Sequence, residues 1–264
     1  MPGAVQTVGL PDLHAGKSPV GVVVVTERVI YPHIIGGDIG CGMGLYSTGV
    51  ERRKFKLERW TTRLNNIREL ADFPTVNPYA EPSLIYDLGT IGGGNHFAEF
   101  QVVEKIYDRA VWPALNMDET MLLLLVHSGS RGYGQSILNR FNEPRALTDE
   151  GEQARYLAEH DQAVLWAARN RGIVVDKLLG YLGYAPQPSK LIDCRHNFIE
   201  QSGDVYIHRK GAVSAEQGPV IIPGSRGSLT YIVKPAGDAA LAAYSLSHGA
   251  GRKWVRSLCK SPSL

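Results

Sequence analysis

The sequence feature that most constrains the fold is a series of glycine-rich segments placed between short apolar stretches. In residues 36–44 (GGDIGCGMG), five of nine residues are glycine, which excludes a regular helix and predicts a tight loop where the backbone closely approaches something else. Comparable segments are residues 89–97 (GTIGGGNHF), 223–227 (PGSRG) and 247–252 (SHGAGR). We therefore expect loops of special backbone conformation to carry the functional groups.

The stretches between these loops read mainly as strands. Those rich in β-branched and other apolar residues are 20–30, 98–106, 121–126, 191–199, 205–209 and 220–222. Residues 52–71 predict an exposed helix, residues 72–83 a linker, and residues 150–183, which lack proline, one or two helices. We predict an α+β fold with a helical insert at about 150–183.

Composition narrows the function classes. The chain has 264 residues with 44% hydrophobic and 20% charged residues, which is typical of a globular protein, and its formal net charge is only +2. A nucleic-acid partner would therefore be held by a local basic patch. No apolar run reaches the length of a membrane span, the start has no signal-peptide pattern, and three scattered cysteines predict no disulfide framework. We expect a cytoplasmic protein with no membrane partner.

Six polar residues lie in a glycine-rich turn or at the end of an apolar strand: Asp38, Cys41, His96, His127, His196 and His248. Asp38 and Cys41 are three residues apart in one tight loop, so both side chains can reach one ion. Imidazole, thiolate and carboxylate together favour a transition metal over calcium or magnesium. Five candidate ligands exceed the four of a structural zinc site, which implies either two metals or one open catalytic site.

Structural roles compete with these functional ones. A lone buried cysteine is usually a small core residue, and a lone histidine at a strand end is usually only hydrogen-bonded. His14, His33, His160 and His208 have weaker claims; His160 is expected to be solvated on the predicted helix, and Cys194 and Cys259 to be structural. The glycine loops can form anion-binding nests of backbone N–H groups or can be simple turns. None matches the P-loop or Rossmann fingerprint.

Eight motifs occur in a fixed order: PDLHAGK, GGDIGCGMG, GTIGGGNHFAEF, HSGSRG, CRHNF, RKGAVSA, IIPGSRGS and SHGAGR. In this order they resemble the RtcB family of tRNA-splicing and RNA-repair ligases, and the likeness runs from residue 11 to residue 252. The HGAGRKW segment is similar to the branch found beside the release-factor homologue PrfH. The resemblance implies a single catalytic domain over residues 1–264, with mixed β-sheets around a metal and nucleotide cleft. It also implies joining of an RNA 2′,3′-cyclic phosphate or 3′-phosphate end to a 5′-hydroxyl end, with GTP and two manganese ions as cofactors and broken tRNA or rRNA as partner.

The resemblance also implies roles for individual residues. Asp38, Cys41, His127 and His196 look like ligands of one manganese, and Cys41 and His96 like ligands of the other. His248 matches the histidine that accepts GMP, and Asp12 an acidic position important for activity. Positions that match guanylate contacts are Asn95, Glu99, His196, Asn197, Pro223, Gly224, Ser225, Arg226, Thr230, His248, Gly249, Ala250 and Gly251. Arg131 and the basic residues Arg52, Arg53, Lys54 and Lys56 are candidates for RNA phosphate contacts, although a solvated face is an equal interpretation of those four.

Three departures from the family pattern leave alternatives open. The chain has ten residues before the first motif and twelve after the last, whereas family members usually extend further at both ends. In the family, the C-terminal extension supplies a lysine that contacts guanine. We therefore expect weak or absent ligation beside well-retained metal binding. PGSR also replaces the commoner PGSM. The competing hypotheses are a metal-dependent phosphodiesterase or phosphatase acting on RNA ends, and a non-catalytic remnant that binds GTP or RNA; the oligomeric state is left open.

Overall fold

The computed structural model describes residues 1–16, 18–67, 88–141, 145–184, 187–225 and 227–251. Contacts divide the chain into two compact units. The first contains Met1–Cys41, Ser130–Val164 and Cys194–Leu264, and the second contains Gly42–Gly129 and Leu165–Asp193. Among the described residues, no helix has both the length and the hydrophobicity that a membrane span requires.

The first unit is built on a four-stranded sheet in the order β1-β2-β8-β7, with every neighbouring pair antiparallel. Its strands are β1 (Ala4–His14), β2 (Val20–Glu27), β7 (Asn197–Ser202) and β8 (Val205–Lys210). The valine-rich β2 is central because β-branched side chains pack well in a strand covered on both faces. Two-stranded sheets pair β9 (Ala212–Ser214) with β12 (Ser245–Ser247), and β10 (Val220–Ile222) with β11 (Tyr231–Val233).

Helices cover this sheet. They are α1 (Pro32–Ile35), α3 (Gly132–Arg140) and the first half of α4 (Glu150–Tyr181). The core beneath them contains Ile30, Ile35, Ile39, Ile137 and Leu147. Helix α4 begins after Asp149, whose carboxylate accepts the Glu152 N–H at 2.9 Å as a capping residue does. It ends at Tyr181, and the following Gly183, with φ +80°, donates its N–H to the Gly180 carbonyl of the last turn at 2.9 Å.

The second unit contains a sheet in the order β4-β5-β3-β6, with β5 antiparallel to both β3 and β4. The strands are β3 (Gly42–Glu51), β4 (Phe97–Gln101), β5 (Met121–Ser128) and β6 (Ser189–Arg195). The rest of α4 packs Val174, Val175 and Leu179 against Leu124 and Val126 of β5. A second cluster surrounds the buried Trp60 of α2 (Leu57–Asn65).

The α+β prediction is confirmed, and the strands around 20–30, 121–126, 205–209 and 220–222 are present. Several local predictions were wrong. The loop predicted over 36–44 ends at Cys41, because Gly42, Met43 and Gly44 pair with β5. The strand predicted over 98–106 ends at Gln101, and the helix predicted over 52–71 is a 3₁₀ turn, Arg52–Lys54, followed by α2. The linker predicted at 72–83 lies outside the described residues.

The strand predicted over 191–199 is two strands, β6 and β7, that belong to different sheets. His196 is the one residue between them. Its backbone N–H donates to the Cys41 carbonyl at 2.8 Å, and its carbonyl accepts the Ala212 N–H at 3.0 Å. An apolar pattern alone does not show this change of sheet, because apolar residues occur on both sides of His196, as in Leu191–Ile192 and Phe198–Ile199.

His208, on β8, gives the fold a pH-sensitive element. Its ring is fully buried, with Nε2 accepting the Tyr31 N–H at 2.9 Å and Nδ1 donating to the Val24 carbonyl at 3.1 Å. Burial lowers the pKa of His208 from its ordinary 6.5 to about 4. The folded protein therefore requires the neutral imidazole.

We predict that stability falls between pH 7 and pH 5, because the unfolded chain then binds a proton that the folded chain does not. The loss from His208 is about 2 kcal/mol over this range. Urea unfolding at both pH values measures it, and His208→Gln, which keeps a donor and an acceptor but does not titrate, should lack this component. Equal pH dependence in both proteins would contradict the assignment.

Candidate active site and metal ligands

Asp12 and His248 form a buried pair in the first unit. Asp12 Oδ2 accepts hydrogen bonds from His248 Nδ1 at 2.7 Å and from the His248 backbone N–H at 3.1 Å. Burial raises the pKa of Asp12. The hydrogen bonds and charge of His248 and a hydrogen bond from Ser247 lower it by more than burial raises it, so the pKa of Asp12 lies below its ordinary value. The ionised carboxylate fixes the Nδ1–H form of the imidazole and leaves Nε2 with its lone pair.

Glycines make room for this pair. A Cβ on Gly211 would lie 3.0 Å from His248 Cε1, and one on Gly251 would lie 3.0 Å from Asp12 Cα. Gly21 has φ +83°, and a Cβ there would lie 2.8 Å from Asp12 Oδ1. Sequence reasoning did not single out Gly21 or Gly211, although Gly211 lies inside the RKGAVSA motif; the signal available was a glycine within a strand-like segment.

His248 also lies among other imidazoles of the first unit. The His14 ring stacks near it, with ring centroids 6.3 Å apart and planes 17° apart, and His14 Nδ1 donates to the Asp12 carbonyl at 2.7 Å. The His196 ring centroid is 4.9 Å from that of His248. The structure therefore adds His14 to the surroundings of the predicted nucleophile.

The first unit also brings together three predicted metal ligands. Cys41 Sγ lies within 4.8 Å of a carboxylate oxygen of Asp38 and of a ring nitrogen of His196. Cys41 and His196 are buried at 5% and 4% exposure, and Cys41 forms no disulfide within the described part of the chain. Thiolate, imidazole and carboxylate donors at this spacing fit a transition metal.

Hydrogen bonds to its backbone atoms hold the loop that carries Asp38 and Cys41. The buried Asn197 amide donates to the Ile35 carbonyl at 3.1 Å and to the Asp38 carbonyl at 2.8 Å, and the Asn197 carbonyl accepts the Gly40 N–H at 2.8 Å. Lys210 Nζ donates to the Ile35 carbonyl at 2.6 Å. Burial lowers the pKa of Lys210, and the nearby charges of Cys41 and Asp38 only partly offset this by raising it. The loop is thus fixed from the neighbouring β7 and β8.

The second unit carries the other two predicted ligands. His96 and His127 meet edge to face with ring centroids 5.1 Å apart. His127 Nδ1 donates to the Asn95 carbonyl at 2.9 Å, and His96 Nδ1 donates to the Ile91 carbonyl at 3.1 Å. In this tautomer, Nε2 of each ring is the nitrogen that can bind a metal.

The positions predicted to contact guanylate fall in both units. In the first unit, Pro223 and Gly249 are adjacent, since a Cβ on Gly249 would lie 3.3 Å from the Pro223 carbonyl oxygen. Gly224 and Ser225 begin a turn in which the Ser228 N–H donates to the Ser225 carbonyl at 2.8 Å. In the second unit, the side chains of Asn95 and Glu99 are exposed. Arg226 lies outside the described residues; Thr230, Ala250 and Gly251 belong to the first unit.

Other candidates have mixed outcomes. The prediction that His160 is solvated was wrong: it is 1% exposed, and its Nε2 accepts the Ile199 N–H at 3.0 Å. Cys194 is buried, as expected of a structural residue, and Cys259 lies outside the described residues. Arg53 and Lys54 pair with Glu51 on an exposed surface. Arg131 donates its backbone N–H to Asp38 Oδ1 at 3.2 Å, and its Nη1 is buried with no hydrogen-bond partner within the described part of the chain.

Comparison with known proteins gives one consistent family. A profile of the tRNA-splicing ligase RtcB family matches residues 1–71 and 63–262. The chain is similar to the RNA-splicing ligase RtcB2 of Escherichia coli, with 38% identity over 98% of this chain and 72% of the relative. It is 30% identical to the RNA-splicing ligase RtcB of Escherichia coli strain K12, over 95% of this chain and 74% of the relative. The tRNA-splicing ligase RtcB of Aeropyrum pernix is 28% identical over 81% of this chain and 55% of the relative.

Two glycines of left-handed conformation test the packing around His248. Gly203 and Gly211 have φ +58° and +63°, but a Cβ has open space at Gly203 and would lie 2.5 Å from Val20 Cγ1 at Gly211. We predict that Gly203→Ala costs roughly 1–2 kcal/mol from backbone strain alone, and that Gly211→Ala costs roughly 1–3 kcal/mol more from overpacking. Gly211→Ala should also shift the His248 ring signals in NMR spectra. Equal destabilisation by the two substitutions, with unchanged His248 ring signals, would show that Gly211 is not tightly packed in the protein.

Proposed function

Because this chain belongs to the RtcB family, we propose that it is an RNA ligase that joins an RNA 3′-phosphate or 2′,3′-cyclic phosphate end to a 5′-hydroxyl end. The observation that carries the proposal is the Asp12–His248 pair, which leaves a buried imidazole with a free Nε2 beside the predicted nucleotide loops. We further propose that both units serve one catalytic domain, and that the protein works in the cytoplasm, where the Cys41 thiol remains reduced.

The first proposed step is transfer of GMP to His248. Nε2 attacks the α-phosphorus of GTP, an N–P bond forms, and the bond from the α-phosphorus to the bridging oxygen breaks to release pyrophosphate. The imidazole becomes positively charged as it attacks. Asp12, already ionised and hydrogen-bonded to Nδ1, stabilises that charge without rearrangement.

The second and third steps join the RNA. An oxygen of the RNA 3′-phosphate attacks the phosphorus of the bound guanylate, and His248 Nε2 leaves, which gives an RNA end capped by a diphosphate linkage to guanosine. The 5′-hydroxyl oxygen of the other strand then attacks the RNA 3′-phosphorus, and GMP departs. A cyclic phosphate is first opened by water to the 3′-phosphate. Arg131, whose backbone N–H donates to Asp38, also has a buried Nη1 that suits a phosphate oxygen in these steps.

We propose that Asp38, Cys41, His96, His127 and His196 hold two manganese ions. Cys41 shares one group of mutually close donor atoms with Asp38 and another with His196, each within 4.8 Å of its sulfur, so a thiolate there could bridge two ions. Because Asp38 and His196 do not share a group, this arrangement favours their binding to different ions. It differs from the division implied by family resemblance, in which both bind the same ion. When bound, manganese neutralises the triphosphate charge.

A ligation assay tests the proposal and separates its rivals. One RNA strand with a labelled 3′-phosphate and another with a 5′-hydroxyl are incubated with the protein, GTP and manganese, with a 3′-hydroxyl strand as control. We expect a joined product only from the phosphorylated strand and only with GTP. Loss of the phosphate without joining would indicate a phosphatase, and unchanged strands would indicate a non-catalytic binding protein.

Cys41→Ala should remove manganese binding, because the bridging ligand of both ions is lost. Cys194→Ala is a matched control, since both thiols are buried in the first unit at 5% exposure. Calorimetric titration with manganese measures both variants. Retention of two ions by Cys41→Ala would refute the bridging assignment.

Asp12→Asn should slow the chemistry while leaving GTP binding nearly unchanged. The neutral amide neither fixes the Nδ1–H tautomer nor stabilises the charged imidazole, so we expect a rate loss of roughly 10²–10⁴-fold. Single-turnover ligation gives the rate, and equilibrium binding of GTP is the control. A wild-type rate in Asp12→Asn would mean that the carboxylate only holds the fold together.

A further inference from the structure

Asn170, on α4 within the second unit, is fully buried and forms four hydrogen bonds through its amide. Its Oδ1 accepts the N–H groups of Gly89 at 2.8 Å and Thr90 at 3.1 Å. Its Nδ2 donates to the Thr90 carbonyl at 2.8 Å and to Ser128 Oγ at 3.0 Å. One side chain thus binds the start of the loop at 88–96 and the end of β5.

These two segments carry His96 and His127. Ser128, next to His127, donates its hydroxyl to the Ile91 carbonyl at 3.3 Å, which is the oxygen that also accepts His96 Nδ1. His127 Nδ1 donates to the carbonyl of Asn95 in the same loop. The carbonyls that set both tautomers therefore belong to a loop whose beginning is held by Asn170.

The glycines of this loop make its ordered conformation costly in backbone entropy. Gly89, Gly92 and Gly94 have φ between +79° and +88°, and a Cβ on Gly93 or Gly94 would meet nothing within 4 Å. Glycine loses more backbone entropy on folding than any other residue, so an ordered glycine-rich loop needs outside hydrogen bonds. Asn170 supplies three such hydrogen bonds to the backbone of Gly89 and Thr90.

We propose that Asn170 is a positioning residue that holds His96 and His127 in the Nδ1–H form, with Nε2 turned toward a metal. The inference rests on the proposed function for the role of those nitrogens. Asn170 itself touches neither histidine in any hydrogen bond of the described structure; it acts through Ser128 and the backbone of the loop. Outer partners of metal-binding histidines typically change metal affinity 10–100-fold when they are removed.

Gln153 provides a control for loss of a buried amide. It lies on the same helix but in the first unit, at 5% exposure. Its Nε2 donates to the carbonyls of Arg28 and Leu147 at 2.8 Å each, and its Oε1 accepts the Tyr206 hydroxyl at 3.0 Å. Gln153→Ala therefore removes a similar clamp from segments that carry no proposed metal ligand.

The first measurement uses the metal-free proteins. Long-range ¹H–¹⁵N NMR spectra report the tautomer of each histidine. We expect His96 and His127 in the Nδ1–H form in wild type and in Gln153→Ala, and as exchanging mixtures in Asn170→Ala. Asn170→Asp, which keeps the acceptor for Gly89 and Thr90 but loses both donors, should lie between them and serves if Asn170→Ala does not fold.

The second measurement is calorimetric titration with manganese. We expect affinity in Asn170→Ala to fall roughly 10–100-fold, and affinity in Gln153→Ala to stay within about twofold of wild type. The positioning role would be overturned if the Asn170 variants showed the same histidine NMR signals and the same manganese affinity as Gln153→Ala. If wild type shows the expected tautomers but binds no manganese, the proposed metal function fails, and the NMR comparison still decides whether Asn170 orients the two rings.

Discussion

The proposed chemistry depends on one hydrogen bond, from His248 Nδ1 to the Asp12 carboxylate. It joins residues 236 positions apart, near opposite ends of the chain, and gives the imidazole a defined tautomer. The bond requires close backbone approach, which is why glycines at 21, 211 and 251 surround it. Replacement of any of them by a larger residue would cost packing or backbone strain, so the glycine-rich character of the sequence follows partly from the geometry of this pair.

The candidate metal ligands also depend on backbone hydrogen bonds, which fix their positions or the orientation of their rings. His196 occupies the single position between β6 and β7, where its N–H and carbonyl bond to Cys41 and Ala212. In the second unit, carbonyls of the glycine loop fix the rings of His96 and His127. A donor whose backbone and ring are both fixed loses little entropy when it binds an ion, which is the basis of preorganised metal sites.

Sequence alone predicted the strand-rich α+β fold and one or two helices near 150–183, where the structure has the single helix α4. It also singled out the candidate donors Asp38, Cys41 and His196, which the first unit brings together. It failed where tertiary contacts decide. Gly42–Gly44 looked like a loop but pair with β5, and His160 looked exposed on a charged helix but caps the N–H of Ile199 inside the core. The sequence also did not reveal the roles of Gly211 and Asn170. The close approach of Gly211 to His248 and the hydrogen bond between Asn170 and Thr90, 80 residues apart, leave no local sequence pattern.

The central claim is that His248 accepts the guanylate. Its most direct test is incubation of the wild-type protein with α-labelled GTP and manganese, followed by peptide mass spectrometry of the labelled chain. The account predicts one GMP per chain, joined to His248 by a bond that is labile in acid and stable in alkali, as a phosphoramidate is. Label on a different residue, or no label although GTP and manganese are bound, would contradict it.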